Sequence, residues 1–346
     1  MAVTPILPCT DANIRKAARA LAEGHLAAFP TETVYGLGAD AFNVKALAAV
    51  FAAKGRPRFD PLIIHIAEYG ALARVAALDA LSAWAARSLG ILAERFWPGP
   101  LSIVLPKRPE VPDLATAGLG TAAIRFPSHP AAQKLIRWST GAVAAPSANR
   151  FGKLSPTRAE HVYAQLGDSA GLILDGGAPS VGLESTVVDL SGTGARLLRP
   201  GGVPLEAIED AIGPIAPAPA AGGGERGAAS PGLLNSHYAP SLPLALLPED
   251  ELASRAPAPG EGYLFFSGAA LALWRQRFPN AASPQAAPAW ALSETGDCAE
   301  AACRLFETLH VMERLPLRVI FAAAPPPVGL GLAICDRLSR AAAPRD

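Results

Sequence analysis

Charge is scarce in this 346-residue chain: 17% of residues are Asp, Glu, Lys or Arg against 50% hydrophobic, and the 30 basic and 30 acidic residues cancel. Disordered chains combine low hydrophobicity with high net charge, so this composition excludes one and demands a sizeable core. The length exceeds one small domain and predicts about two. Cysteine is also sparse. Cys9, Cys298, Cys303 and Cys335 include no CxxC pair, which argues against a zinc ribbon or disulfide framework and predicts a reducing, cytoplasmic compartment. The uncharged stretches 211–224 and 319–335 are interrupted by proline and glycine, Pro325, Pro326 and Pro327 cutting the second, so neither reads as a membrane span. The N-terminus has no basic segment ahead of a long apolar run, so no secretory signal is expected. A Walker A loop is missing too, since no glycine-rich turn here ends in GK[ST].

What is abundant is punctuation: 32 Gly and 34 Pro promise many turns. Asp11 can cap a helix through Ile14, Ala18 and Leu21 that Gly24 ends, and Asn43 starts another through Leu47 and Phe51 that stops at Gly55. Residues 30–41 read as a turn-rich loop, 79–96 as one long helical stretch, and Thr157 with Glu160 as a capping box. Short apolar runs at 25–29, 61–66, 101–105, 122–126, 141–145, 172–175, 185–190 and 195–199 read as strands. Several follow one another without a helix between, which predicts a mixed sheet rather than a parallel one. Residues 213–231 combine Pro/Ala and Gly runs and read as a linker. Beyond it, strands at 244–247, 263–266 and 318–323 and a helix over 297–313 predict a small α/β domain. The expected division is 1–210, a connector over 211–241, and 242–346. Charge follows the same division: residues 1–200 carry 20 Lys and Arg against 15 Asp and Glu, and the remainder 10 against 15. The basic half is the one suited to an anion such as phosphate or RNA.

Four segments carry chemistry. The loop from Pro30 to Asp40 brings Thr31, Glu32, Thr33 and Tyr35 together with Gly36 and Gly38, a density of hydroxyls and close-approach glycines that suits a polar ligand, though a tight turn ahead of a helix uses the same residues. Lys54, Arg56 and Arg58 cluster where a helix ends; they can clamp a polyphosphate or simply complement the helix C-terminus. Ser147 and Asn149 follow a very apolar strand, where α/β sheets hold ligands and where an Asx or Ser/Thr turn is equally at home. Arg125 stands alone in an apolar strand and needs an anionic partner, supplied by the protein or by a ligand.

The ordered set FPTETVYGLGADA, KGRPRFDPLIIHI, FWPGPLSIVL, IRFP, APSANRFGKLSPT, LESTVVDL, LRPGG and HYAP resembles the Sua5/YrdC family of L-threonylcarbamoyladenylate synthases, and GLGLAICDRLSRAA (329–342) resembles the end of the extra domain of its longer, Sua5-type members. The resemblance implies a twisted, open mixed α/β sheet of YrdC type followed by a linker and a smaller, Rossmann-like α/β domain. It also implies an enzyme, a nucleotidyltransferase that joins L-threonine, bicarbonate or CO2 and ATP, with Mg2+, and releases pyrophosphate as the first step of N6-threonylcarbamoyl modification of adenosine 37 in tRNA. By position it implies threonine contacts at Thr33, His65, Arg125, Ala145 and Ser185, and ATP contacts at Arg56, Asp60, Thr121, Ser147, Asn149, Ser155, Arg199 and Tyr238, with Lys54 and Arg56 as the catalytic cations and no protein metal site. Asp60 stands where similar sequences commonly carry Asn. Tyr238, next to His237 after the linker, is expected to act as a lid over the nucleotide, with Gly222, Gly223 and Gly224 as hinge and Pro231 and Pro240 as stiffeners. Expected partners are tRNA or RNA on the basic face and the downstream threonylcarbamoyl transferase machinery, with no membrane. Two rivals are a hydrogenase-maturation carbamoyltransferase, disfavoured by the lack of CxxC, and a non-catalytic RNA- or nucleotide-binding YrdC-like protein.

Overall fold

The computed structural model describes residues 4–217, 238–279 and 287–344. Among the described residues two compact units emerge: residues 4–151, 156–180 and 184–217 form the first, and residues 152–155, 181–183, 238–279 and 287–344 the second. The short pieces 152–155 and 181–183, read from sequence as part of the first half, group with the second unit.

The first unit is built on strands β1 (Ile6–Pro8), β2 (Ala27–Phe29), β3 (Gly36–Asp40), β4 (Ile63–Ile66), β5 (Leu101–Pro106), β6 (Thr121–Arg125), β7 (Ala142–Ala144), β8 (Leu172–Asp175), β9 (Thr186–Asp189), β10 (Arg196–Arg199) and β11 (Ala216–Pro217). They form one sheet in the order β1-β8-β2-β3-β7-β4-β6-β5-β9-β10-β11. Parallel pairs such as β4 with β6 alternate with antiparallel ones such as β5 with β6, so the sheet is mixed. The loop expected over 30–41 holds β3 in its second half. GLGAD has little strand propensity of its own, but it pairs antiparallel with β2 and with β7.

Helices α1 (Asp11–Ala22), α2 (Val44–Lys54), α3 (Ala83–Phe96), α4 (Asp113–Thr116), α5 (Pro130–Trp138), α6 (Ala159–Leu166) and α7 (Leu205–Ile212) complete this unit. The pleat assigns them to faces: Ala27 and Phe29 pack with Ile14 and Leu21 of α1 and Leu135 of α5, whereas Ala28 packs with Val50 of α2 and Val162 of α6. Asn43 caps α2 by accepting from Lys45 and Ala46, and Gly55 ends it in the left-handed region at φ 62°. Other caps differ from the sequence reading. Thr10 rather than Asp11 caps α1. The stretch 79–96 is divided, because Ser82 accepts from the Ala85 amide and starts a new helix. No capping box forms at α6, since Thr157 pairs its hydroxyl with His161 Nδ1 and the N-cap is Arg158.

The second unit has strands β12 (Leu244–Leu246), β13 (Glu261–Ser267), β14 (Ala289–Ser293) and β15 (Val319–Ala322), all parallel, in the order β12-β15-β13-β14. Helices α8 (Glu249–Ser254), α9 (Gly268–Arg277), α10 (Cys298–Glu313) and α11 (Leu330–Ala342) accompany them. This is the expected βα alternation with one strand more, β14. Its core includes Tyr263, Phe265, Leu271 and Trp274. Among the described residues no helix is long and apolar enough to cross a membrane.

Candidate active site

One face of the large sheet carries the site. Ile64, Ile103, Ile124 and Val188 point into the main core, so Ile63, Val104, Ala123 and Val187, one residue removed on each strand, turn to the opposite face and form a small apolar cluster there. By the same two-residue period His65, Ser102 and Arg125 share that opposite face. Register then sets them in a row: His65 pairs with Arg125 across β4–β6, and Arg125 with Ser102 across β6–β5. Ser102 extends the row through a 2.8 Å hydroxyl–hydroxyl bond to Ser185, just before β9. Ala145, past the end of β7, donates its amide to the Ile63 carbonyl at 2.9 Å beside this row.

Arg125 is 4% exposed, and its Nη2 makes no aligned hydrogen bond among the described residues. Its Nη1 donates to Thr33 Oγ1 at 2.8 Å and its Nε to the Gly99 carbonyl at 3.3 Å, while Nη2 lies 2.7 Å from the Glu32 carboxylate. Thr31 locks the loop that delivers these partners: its hydroxyl donates to the Val34 carbonyl and bonds the Thr33 hydroxyl at 2.8 Å. Burial would raise the Glu32 carboxyl, but the adjacent Arg125 charge holds it below its ordinary value. His65 is buried against the edge of the Phe29 ring, and burial together with the Arg125 charge pushes it down to about 3. It is therefore a neutral imidazole at physiological pH.

A second cluster gathers at the end of α2. Lys54 donates Nζ to the carbonyls of Ser147 and Asn149, tying the KGR segment to the SAN segment. Arg56 holds its own turn with Nε to the Asp60 carbonyl at 3.1 Å and Nη2 to the Pro61 carbonyl at 2.9 Å, and it meets the Asp60 carboxylate at 2.8 Å. Arg199 donates to the Ser185 carbonyl through Nε and Nη2, and through Nη2 to its hydroxyl. Gly201 permits this closeness, because a Cβ there would stand 2.4 Å from the backbone of residues 184–186. Burial raises the Asp60 carboxyl, and Arg56, Lys54 and Arg199 all oppose that rise, so one carboxylate feels three cations. Burial, then repulsion by Arg56, draws Lys54 well below its ordinary value. Thr121 shares the face of Arg125 on β6, four residues or about 13 Å along the strand. Such an arrangement offers a carboxylate site at Arg125 and an anion site at Lys54, Arg56 and Arg199, linked through Ser185, which bonds both Ser102 of the row and Arg199.

Comparison with known proteins decides the family. A family model described as "Telomere recombination", the Sua5/YciO/YrdC model, matches residues 19–201, and one described as "Threonylcarbamoyl-AMP synthase, C-terminal domain" matches residues 203–343. The chain belongs to the Sua5/YrdC family. A threonylcarbamoyl-AMP synthase from Pyrococcus abyssi is 42% identical over 95% of this chain and 94% of its own length, and one from Bacillus subtilis is 38% identical over 99% and 96%. The crystal structure of P. abyssi Sua5 complexed with L-threonine superposes with a TM-score of 0.85 at 39% identity, covering 98% of each chain.

Of the residues that the Sua5-type resemblance singles out, Thr33, His65, Arg125, Ala145 and Ser185 come together on the first unit's polar row. Lys54, Arg56, Asp60, Ser147, Asn149 and Arg199 form the cation cluster. Ser155 and Tyr238 are placed in the second unit. There Ser155 offers its carbonyl to His310 Nε2 at 3.0 Å. Tyr238, 2% exposed with φ 60°, packs its ring 5.9 Å from Phe306 and beneath the Arg337 guanidinium. His237, Gly222, Gly223, Gly224 and Pro231 of the expected lid lie outside the described residues. Two residues that the fold brings into contact with the polar row were not assigned roles from sequence: Glu32, noted only as a carboxylate in its loop, and Ser102. The signal for Ser102 was a single hydroxyl inside LSIVL, fully buried in the fold. Among the described residues no three His, Cys, Asp or Glu side chains are grouped as metal ligands.

Proposed function

We infer that this chain is an L-threonylcarbamoyladenylate synthase that condenses L-threonine, bicarbonate or CO2 and the Mg2+ complex of ATP, releasing pyrophosphate. The observation that carries this reading is the pairing of a carboxylate site at Arg125 with a cation cluster at Lys54, Arg56 and Arg199, the two joined through Ser102 and Ser185. Arg125 takes the threonine carboxylate, and the Thr33 and Ser185 hydroxyls with neutral His65 supply polar contacts around it. The threonine amine, once deprotonated, adds to CO2 and forms a carbamate, losing its proton to solvent. A carbamate oxygen then attacks the α-phosphorus of ATP, and the bond to the bridging oxygen breaks with pyrophosphate leaving. No protein nucleophile is required. The chain contributes placement and charge: Arg56, Lys54 and Arg199 neutralise the triphosphate and the charge growing on the leaving group. Asp60 aims the Arg56 guanidinium by pairing with it four residues on.

The product belongs at the start of tRNA threonylcarbamoylation, in the cytoplasm, with a downstream transferase as consumer. The excess of basic residues in the first 200 positions suits contact with tRNA. ATP-dependent pyrophosphate release that requires both threonine and bicarbonate tests the reading. A non-catalytic RNA-binding relative would release none.

A further inference from the structure

The buried pair of Glu32 and Arg125 has a feature that the reaction scheme does not use. Arg125 bonds Gly99 and Thr33 through Nε and Nη1, while its Nη2 lies 2.7 Å from Glu32 Oε1 without an aligned hydrogen bond, which leaves donors for a ligand's carboxylate. Glu32, only 5% exposed, touches Arg125 through Oε1, yet neither of its carboxylate oxygens receives an aligned hydrogen bond among the described residues. The amides of Glu32 and Ser128 lie near enough to favour its charge but are not so aligned. A buried carboxylate ordinarily collects several donors, so Oε2 is an acceptor awaiting one.

Electroneutrality defines the ligand that fits. Glu32 and Arg125 together carry no net charge, and burial keeps the nearby His65 and His129 toward their neutral forms. A bare carboxylate arriving at Arg125 would leave two buried anions against one cation, which a low-dielectric site penalises heavily. A zwitterion brings a cation of its own and leaves the site neutral. We propose that Glu32 receives the ammonium group of the amino-acid substrate on Oε2 while Arg125 receives its carboxylate, so that the pair selects free α-amino acids over hydroxy acids of the same shape. The assignment rests on the reading of Arg125 as the carboxylate holder, and it makes Glu32 a determinant of specificity.

Calorimetry tests it with L-threonine and (R)-3-hydroxybutanoate, which lacks only the amine. Wild-type protein is expected to prefer threonine by about 100-fold, the size of losing a charge-assisted bond and leaving a buried charge unmatched. Glu32→Gln keeps the shape and removes the charge. It should weaken threonine about 10- to 100-fold while leaving 3-hydroxybutanoate unchanged or tighter, collapsing the preference. Equal binding of the two ligands by wild type overturns the proposal, as does a Glu32→Gln variant that keeps the full preference or loses both ligands alike. Should the variant not fold, the wild-type comparison alone decides. Failure of wild type to bind threonine at all removes the underlying reading of Arg125 instead.

Discussion

The two units bury very different interiors. The first unit buries Glu32, Lys54, Arg56, Asp60, His65, Arg125, Glu184 and Arg199. The second fills its core with rings: Tyr263 lies 5.0 Å from Trp274 and 6.1 Å from Phe321, and Trp274 lies 5.9 Å from both Phe265 and Phe278. Its buried Arg337 is neutralised at home, paired with the neighbouring Asp336 and stacked on Tyr238. In the first unit, Lys54, Arg56 and Arg199 share the charge of Asp60. Burying charge costs several kcal/mol per ion unless it is matched, so ionisable groups gathered and buried together mark a candidate site rather than mere packing. An aromatic core marks where only stability is at stake.

Substitutions can sharpen or break this contrast. The largest effect is expected from Trp274→Ala, which empties the centre of the second unit's core and deletes the indole bond to the Arg255 carbonyl. It should cost about 3 to 5 kcal/mol in denaturant unfolding and leave threonine affinity intact wherever the variant is folded; a parallel loss of affinity would break the contrast. Arg56→Ala should raise the barrier to pyrophosphate release by about 2 to 4 kcal/mol, the cost of removing one transition-state donor. Its threonine affinity by calorimetry should stay close to wild type, because Arg125 lies in the other cluster.

His65 gives the smallest effect, and its sign follows from its environment. Its folded pKa is near 3 against about 6.5 for an unfolded histidine, so below pH 6.5 the unfolded chain takes up a proton that the folded chain refuses. The stability it contributes is complete above pH 6.5 and is lost as pH falls toward 3, at no more than about 1.4 kcal/mol per pH unit. Urea unfolding of wild type and His65→Gln between pH 6.5 and 4.5 should show the shallower slope in the variant. Equal slopes would mean that His65 is not held neutral by burial.

Much of this was legible in the sequence wherever local chemistry and tertiary need coincide. Asn43 and Gly55 bound α2 because capping and left-handed geometry are local properties. Ser147, Asn149, Lys54 and Arg56 stood out as motifs, and the fold joins them through the Lys54 ammonium. Features made by distant pairing were not readable. β3 is a strand because β2 and β7 flank it, not because GLGAD favours one. The row of His65, Arg125 and Ser102 depends on the register of three strands, two of them parallel neighbours joined by a long crossover. Glu32 looked like one polar residue among several in its loop, and only the fold brings its carboxylate to 2.7 Å from Arg125. The helix α9, with Ala, Leu, Trp and Arg on all sides, has no clear apolar stripe to announce it.

The central claim is that the Arg125 row and the Lys54, Arg56 and Arg199 cluster act on threonine and ATP together. Mass spectrometry of a reaction containing the full chain, L-threonine, 13C-bicarbonate and MgATP tests it most directly. The account predicts a threonylcarbamoyl adenylate carrying the 13C label, formed in step with pyrophosphate and missing when threonine is left out. Pyrophosphate release without threonine, or threonine binding with no labelled adenylate, would contradict it.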